Sequence, residues 1–432
     1  MVAFNGVDAH TGGYLFPRMG PSAVARLAQE TDTKSAFLRG MRRRDMLNEA
    51  TFGVLFVDDP DDLAQTGWGV LFPEDVSPEV VTALEPLLRL RERDAGRRFH
   101  RYFVRRGESV SDFLMRNGMG PGPADPNVVP YYLLIVGPPT AISFPFQYQL
   151  DVDYAVGRID LDTPSEYAAY AEAVCVAEER AFSRPAVHLF GTRNAGDTAT
   201  ALSASRLVQP LADQLASRSS ADVVSSDIGP VATKARLAGL LEDGPPVLFT
   251  ATHGLGSEHG AIKEIQGSLV CQDWPGPLAV AREVDPAHYL SAADVVAPLA
   301  TRIVFSFACY SAGYPDQPYV SSLPKKLLSL GLLGFVGHVD RAWGYSFLWK
   351  GAKAQITSMV GTMLDIHKGH RLGNAMEAMN SRWASIATQL ATELDAARDD
   401  DKLIDDRMLA WLWTASNDAR DYVVLGDPAV RA

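Results

Sequence analysis

Along the chain, short runs that are almost wholly apolar alternate with longer segments whose apolar residues recur every three to four positions. Apolar runs that do not alternate with polar residues predict strands buried on both faces, and the 3.6-residue period predicts helices packed over them. Strands are predicted at Phe52–Val57, Trp68–Phe72, Tyr131–Val136, Ala186–Phe190, Val247–Thr252, Ile303–Phe307, Leu333–Val336 and Tyr422–Leu425. Helices are predicted over Ala23–Asn48, Pro78–Leu90, Ser165–Ala181 with Ser165 as its cap, Ser203–Leu215, Phe347–His367 and Arg371–Ala397. The Gly- and Pro-dense stretch Gly118–Pro126 and the acidic run Asp399–Asp406 read as loops. This rhythm predicts an α/β protein with a mostly parallel sheet in three layers, α/β/α.

A chain of 432 residues exceeds the size at which one hydrophobic core usually stops growing. Two domains, or two lobes sharing one extended sheet, are therefore expected. The boundary falls near Arg184-Pro185, giving a smaller α/β lobe over 1–183, regulatory or partner-binding, and a larger domain over 184–432.

Composition narrows the function classes. With 47% hydrophobic and 21% charged residues the chain is of ordinary globular type. A formal net charge of −12 argues against broad binding to nucleic acid or anionic membranes. Basic clusters at Arg42-Arg43-Arg44 and between Arg89 and Arg106 could hold an acidic partner, but they read first as solvated helix faces. Cys175, Cys271 and Cys309 are too few and too scattered for a disulfide framework, and none forms a Cys-x-x-Cys pair for zinc. No metal or cofactor is expected. Residues 1–20 lack a signal-peptide pattern, and no apolar run reaches the about 18 residues that would suggest a membrane span. A cytoplasmic location follows as the expectation, with no membrane partner.

Two of the predicted strands end in a reactive residue followed by a turn: Val247-Leu-Phe-Thr-Ala-Thr-His253-Gly254 and Ile303-Val-Phe-Ser-Phe-Ala-Cys309. The carboxyl ends of parallel strands line the crevice where ligands bind in such sheets, so neighbouring strands would bring His253 and Cys309 together. A thiol needs a base to become a nucleophile, and an amide leaving group needs an acid; one imidazole can serve both. Gly254 would let backbone approach a substrate and donate its N–H to an oxyanion. Taken singly, a buried cysteine is ordinary core and a His-Gly pair an ordinary turn. Their matched placement is what points to chemistry.

These blocks resemble the caspase-like (clan CD) cysteine peptidases, and within them the gingipain-type family, with the CHAT-domain proteases as relatives. Tyr131-Tyr-Leu-Leu-Ile-Val-Gly137, Asp153-Tyr-Ala-Val-Gly157-Arg158, His338-Val-Asp-Arg-Ala-Trp343 and Val424-Leu-Gly426-Asp427-Pro428 extend the resemblance over about 130–432. It implies a caspase-like catalytic domain with a Cys309–His253 dyad and oxyanion donors from the backbone of Gly254 and Cys309. It also implies a specificity pocket walled by Trp343, with Asp340 on its rim; core packing is the other reading of Trp343. Arginine-selective members carry an acid where this chain reads Thr198–Ser203, and no carboxylate aligns. Asp197 would favour a basic P1 residue and Arg193 an acidic one, the balance leaning to basic. No counterpart of the acid that assists the family's histidine is found near Arg193.

The resemblance thus implies an intracellular endopeptidase of protein or peptide substrates, acting through a Cys309 thioester. It would be a regulated processing enzyme with an activating protein partner, in a bacterial stress or anti-phage response. The alternatives are a catalytically silent scaffold, or a latent enzyme whose loops at 193–205 and 310–320 await a partner. Other motifs carry less. Gly254-Leu-Gly256-Ser-Glu-His-Gly260 has the wrong spacing for a dinucleotide loop, and His367 with His370 lacks a third metal ligand. His259 is a second candidate base that reads as a loop residue, and Cys271 reads as structural.

Overall fold

The computed structural model describes residues 6–15, 19–30, 54, 57–219, 224–257, 262–277, 283–296, 298–316, 318–343, 347–349, 354–399 and 405–432. Arg42–Arg44, His259, most of the helix expected over Ala23–Asn48, and most of the strand expected at Phe52–Val57 lie outside these residues. So does the acidic run from 400 to 404.

In chain order the strands are β1 (Val7–Asp8), β2 (Trp68–Pro73), β3 (Phe99–Val104), β4 (Tyr132–Val136), β5 (Ala155–Ile159), β6 (Val187–Gly191), β7 (Val224–Ile228) and β8 (Val247–Ala251). They continue with β9 (His253–Gly256), β10 (Leu269–Val270), β11 (Tyr289–Leu290), β12 (Ile303–Phe307), β13 (Gly313–Tyr314), β14 (Tyr319–Val320), β15 (Gly334–His338) and β16 (Tyr422–Gly426). Ten of them form one sheet in the order β3-β2-β4-β5-β16-β15-β12-β8-β6-β7. All pairings in it are parallel except β15 with β16. The two expected lobes therefore share one sheet, and the last strand of the chain joins its halves.

Every residue of β4, β5, β6, β8, β12, β15 and β16 is buried. Because successive side chains on a strand point to opposite faces, both faces must be covered, and the flanking helices make the predicted three layers. The helix Pro78–Ala95 is tied to the end of β16 by charge as well as packing. Buried Arg91 donates to Asp427 at 2.8 Å, and the Trp68 indole N–H to the same carboxylate at 2.9 Å. Among the described residues no helix is long and apolar enough to cross a membrane.

Several elements depart from the expected pattern. β3 and β7 lie at the two edges of the sheet, and their part-exposed, polar-bearing sequences Phe-His-Arg-Tyr-Phe-Val and Val-Ser-Ser-Asp-Ile contain no apolar run. The helix Pro164–Glu178 is capped by Thr163 rather than Ser165, because Thr163 and Glu166 complete a reciprocal capping box and Pro164 suits the first turn. The stretch before Thr357 is not helical where described: Leu348 and Ala354 form an antiparallel bridge, and the helix is Thr357–Lys368. After the acidic run a further helix, Asp406–Arg420, is capped by Asp405. The helix expected at Ser203 starts at Thr198, with Asp197 as its N-cap, and passes through a π turn at Ala204–Val208. This last difference bears directly on the site.

Candidate active site

β6, β8 and β12 are neighbours in the half of the sheet built from the later strands, with β8 between the other two. Ala251 of β8 pairs with Phe307 of β12, and His253 and Cys309 each follow two residues later. Equal overshoot from paired residues places both at the same edge of the sheet. Gly191 of β6 pairs with Ala251 on the other side, and the loop after it carries Asp197 to the same edge.

His253 is fully buried and held at both ring nitrogens. Its Nε2 lies 2.8 Å from Asp197 Oδ2, and its Nδ1 accepts the Gly6 backbone N–H at 2.7 Å. A nitrogen that accepts an amide N–H carries no proton, so the neutral imidazole keeps its hydrogen on Nε2, facing the carboxylate. The edge of the ring also meets Trp274, at 5.6 Å between centroids and 89° between planes. Asp197 accepts further bonds from the Tyr14 hydroxyl (2.6 Å), the Thr200 hydroxyl (2.5 Å) and the Ala199 and Thr200 amides (3.0 and 3.2 Å). Burial alone would raise this carboxyl. The electrostatic attraction of the His253 ring and the bonds from His253, Thr200 and Tyr14 outweigh it, holding Asp197 well below the usual carboxylate range.

Cys309 is also fully buried, and no disulfide involves it. Burial pushes its thiol far up, against the smaller opposing effect of the Ala342 N–H, which donates to Sγ at 3.1 Å. The thiol is therefore protonated in this arrangement, and a base would have to remove its proton before it could act as a nucleophile. Gly254 packs directly on the Cys309 main chain: a Cβ there would fall 1.7 Å from the Cys309 carbonyl oxygen, so only glycine fits. Tyr310, next in sequence, has φ +56°, the only positive value outside glycine among the described residues, and its N–H donates to the Asp340 carbonyl at 2.9 Å. Backbone strain of this kind clusters where a side chain must be aimed.

Between His253 and Cys309 sits the chain's own Gly6. Besides its bond to His253, a Cβ added at Gly6 would lie 3.4 Å from Cys309 Sγ, and its φ of +122° is one that favours glycine.

The expected pocket residues are placed differently. Asp197, expected to read the P1 residue, has its carboxylate on the His253 ring. The sign was available in Asp197-Thr-Ala-Thr, a helix-cap pattern, but the helix had been expected five residues later. Trp343 is buried against Val24, Ala410 and Trp413, the two indoles meeting edge to face at 5.4 Å, so here it packs as core. The Asp340 carboxylate accepts from the Arg341 amide at 2.7 Å and its Nε at 3.2 Å. Arg193 is exposed, and its main chain is clasped by the Gln272 side-chain amide at 2.7 and 2.9 Å.

His367 bonds the Pro185 carbonyl and His370 the Asp61 carboxylate, so the two are engaged separately. Cys271 is buried with its thiol on the Leu269 carbonyl. Among the described residues no group of three or more His, Cys, Asp or Glu side chains could hold a metal ion.

No family model matches the chain, and no curated protein matches it significantly. Among solved structures it is similar to one described as "Structure of Protease", at 15% identity over 86% of this chain and 79% of that one, with a TM-score of 0.49. It is also similar to the Arg-specific cysteine proteinase gingipain R, at 10% identity over 85% and 78%, TM-score 0.49. A complex of the Porphyromonas gingivalis RgpB pro- and mature domains follows at 10% identity over 84% and 79%, TM-score 0.46. Likenesses this distant say nothing about activity; the functional reading stands on the side chains at the sheet edge.

Proposed function

We propose that the protein is a cysteine endopeptidase in which Cys309 is the nucleophile, His253 the acid and base, and Asp197 the carboxylate that orients the histidine. The observation that carries this reading is the double tether of His253. Asp197 holds Nε2, leaving Nδ1 directed at the amide of Gly6, a residue on which an added Cβ would meet Cys309 Sγ at 3.4 Å. Core histidines rarely need a buried carboxylate on one side and a peptide nitrogen on the other. A catalytic one does.

In this scheme His253 Nδ1 takes the thiol proton as Sγ attacks the substrate carbonyl carbon. The same nitrogen then returns the proton to the departing amine, leaving a thioester on Cys309. Water, deprotonated by Nδ1, hydrolyses the thioester, and Asp197 stays ionised beside the transient imidazolium. The backbone N–H groups of Gly254 and Cys309 are the proposed oxyanion donors. Since Asp197 is engaged with His253, a basic P1 residue would be read by Asp340, in exchange for its ion pair with Arg341. Both reactive side chains are wholly shielded from solvent. This suits a regulated intracellular processing enzyme, in a bacterial stress or anti-phage setting, that an activating partner opens. The same shielding favours the latent form among the alternatives.

A panel of fluorogenic peptides varied at P1, offered to wild type, Cys309→Ala and His253→Ala, tests the proposal. Turnover by wild type and its loss in both variants is the expected result. Equal turnover by wild type and Cys309→Ala would overturn it.

A further inference from the structure

Three arginines, Arg180, Arg302 and Arg431, line one small cavity at the edge of the sheet opposite Cys309. Arg302 immediately precedes β12, whereas Cys309 lies just beyond its far end. β16 runs against β15, so Arg431, a few residues past β16, returns to the amino edge of β12 and β15. Arg180 and Phe182, in the segment after the helix Pro164–Glu178, close the remaining side. The space among these residues is about 160 Å³. Its frame is fixed: the Arg302 carbonyl accepts the Leu333 and Gly334 N–H groups at 2.8 and 3.2 Å, and the Tyr170 hydroxyl donates to the Leu333 carbonyl at 2.7 Å.

The charges around this cavity do not balance. Glu178 is the one acid that lines it, and its carboxylate is already shared between Arg91 at 2.9 Å and Arg371 at 3.2 Å. Among the described residues no ion pair involves Arg180, Arg302 or Arg431. Arg431 donates from Nη2 to the Asp61 carbonyl at 3.3 Å, and its Nε is buried with no hydrogen-bond partner. Burial, and then the neighbouring charge of Arg180, depress the Arg302 guanidinium below its ordinary value, so these two cations are close enough to repel. An anion between them would relieve that cost. The rest of the lining is mostly apolar and includes Phe182, which is 48% exposed and rests on Gly369, where no Cβ would fit. A large ring left in water beside unpaired cations offers a face to a flat apolar group.

We propose that this cavity binds a small organic phosphate, its phosphate between Arg180 and Arg302 within reach of Arg431 and its apolar body against Phe182. Guanidinium groups match phosphate oxygens through planar pairs of N–H donors. A carboxylate offers two oxygens in one plane, whereas a phosphate monoester offers three in different directions, which suits three guanidiniums. The ligand and a peptide at Cys309 would lie at opposite ends of β12, so neither displaces the other, and the proposal stands or falls independently of the peptidase reading.

Titration calorimetry of the full chain with phenyl phosphate, inorganic phosphate and benzoate provides the test. One saturable site for phenyl phosphate is expected, with inorganic phosphate weaker and benzoate weaker still. Arg302→Gln and Arg180→Gln should each weaken phenyl phosphate roughly 10-fold or more, as the loss of a charge-assisted contact requires. Phe182→Ala should weaken it by about 3- to 10-fold and leave inorganic phosphate unchanged. Arg89→Gln, at an exposed position on another helix, should bind as wild type does. No saturable binding of phenyl phosphate by wild type, or equal binding by wild type and both arginine variants, would overturn the site. Benzoate binding as tightly as phenyl phosphate would overturn the assignment to a phosphate. A phosphotyrosine tripeptide binding more tightly than phenyl phosphate would overturn the assignment to a small molecule.

Discussion

β2, β3, β4 and β5 run parallel to one another, as do β6, β7, β8, β12 and β15, but the antiparallel junction of β15 with β16 turns the two sets in opposite directions. Their carboxyl edges thus lie at opposite ends of the sheet. One edge carries Asp197, His253 and Cys309. The other opens into a crevice of about 530 Å³ lined by residues such as Glu74, Ser77, Arg106, Gly137 and Tyr167, with no Cys or His among those lining it. The same architecture thus presents a Cys–His–Asp cluster at one of these two edges and a differently lined crevice at the other. What separates the ends is the residue carried just past each strand: a histidine gripped by a carboxylate, and a cysteine, in one half, and Glu74, Arg105, Gly137 and Asp160 in the other. Buried charge in the first half serves packing instead, as with Arg91 and Asp427.

That contrast can be broken by substitution. The largest effect belongs to Cys309→Ala, which should lower peptide turnover by roughly 10⁴-fold or more, since no other group can form the thioester; stopped assays on titrated protein measure it. Asp197→Asn comes next. It should cost about 10²–10⁴-fold in kcat, because an amide stabilises neither the Nε2–H tautomer nor the imidazolium. The same variant carries a pH signature. Asp197 is held low in the folded protein, so its stabilisation is complete above the unfolded carboxylate range near pH 4 and fades as pH falls through the folded value. Wild type should lose stability on acidification below about pH 4 more steeply than Asp197→Asn in chemical denaturation.

In the other half, Arg91→Met should cost about 3–5 kcal/mol of stability, by leaving Asp427 buried without its cation, while turnover per folded molecule is unchanged. A comparable loss of kcat would mean the halves are not functionally separate. The smallest effect is expected at half-buried Glu377, whose carboxyl desolvation and nearby Asp365 push up to about 7. A raised carboxyl withdraws stability as pH climbs from its unfolded to its folded value. Glu377→Gln should therefore stabilise by about 1–2 kcal/mol at pH 8 and by almost nothing at pH 4, read from thermal melts.

The legible parts of the molecule were those where local sequence and burial agree. β4, β6, β8, β12, β15 and β16 are buried on both faces, so their apolar runs announce them, and the equal overshoot of His253 and Cys309 follows from those strands. The edge strands β3 and β7 have one side partly exposed and lose that signature. Asp197 was read as a pocket residue, and its contact with His253 was not foreseen because its helix begins at Thr198, five residues before the expected start. For Trp343, an aromatic in a turn after a strand suits a pocket wall or a core equally, and only tertiary packing against Trp413 separates them. Gly6 was invisible to local reading: it meets His253 across 247 residues of chain, and nothing near Met1 signals a contact of that span.

The most direct test of the account is the site of covalent modification by an electrophilic peptide ketone, mapped by mass spectrometry on the full chain. Cys175 is the more exposed thiol, whereas Cys309 is fully buried. Ordinary thiol reactivity would select Cys175, and a catalytic centre selects Cys309. The account predicts a single adduct on Cys309 that disappears in His253→Ala. An adduct on Cys175 with Cys309 unmodified would contradict it.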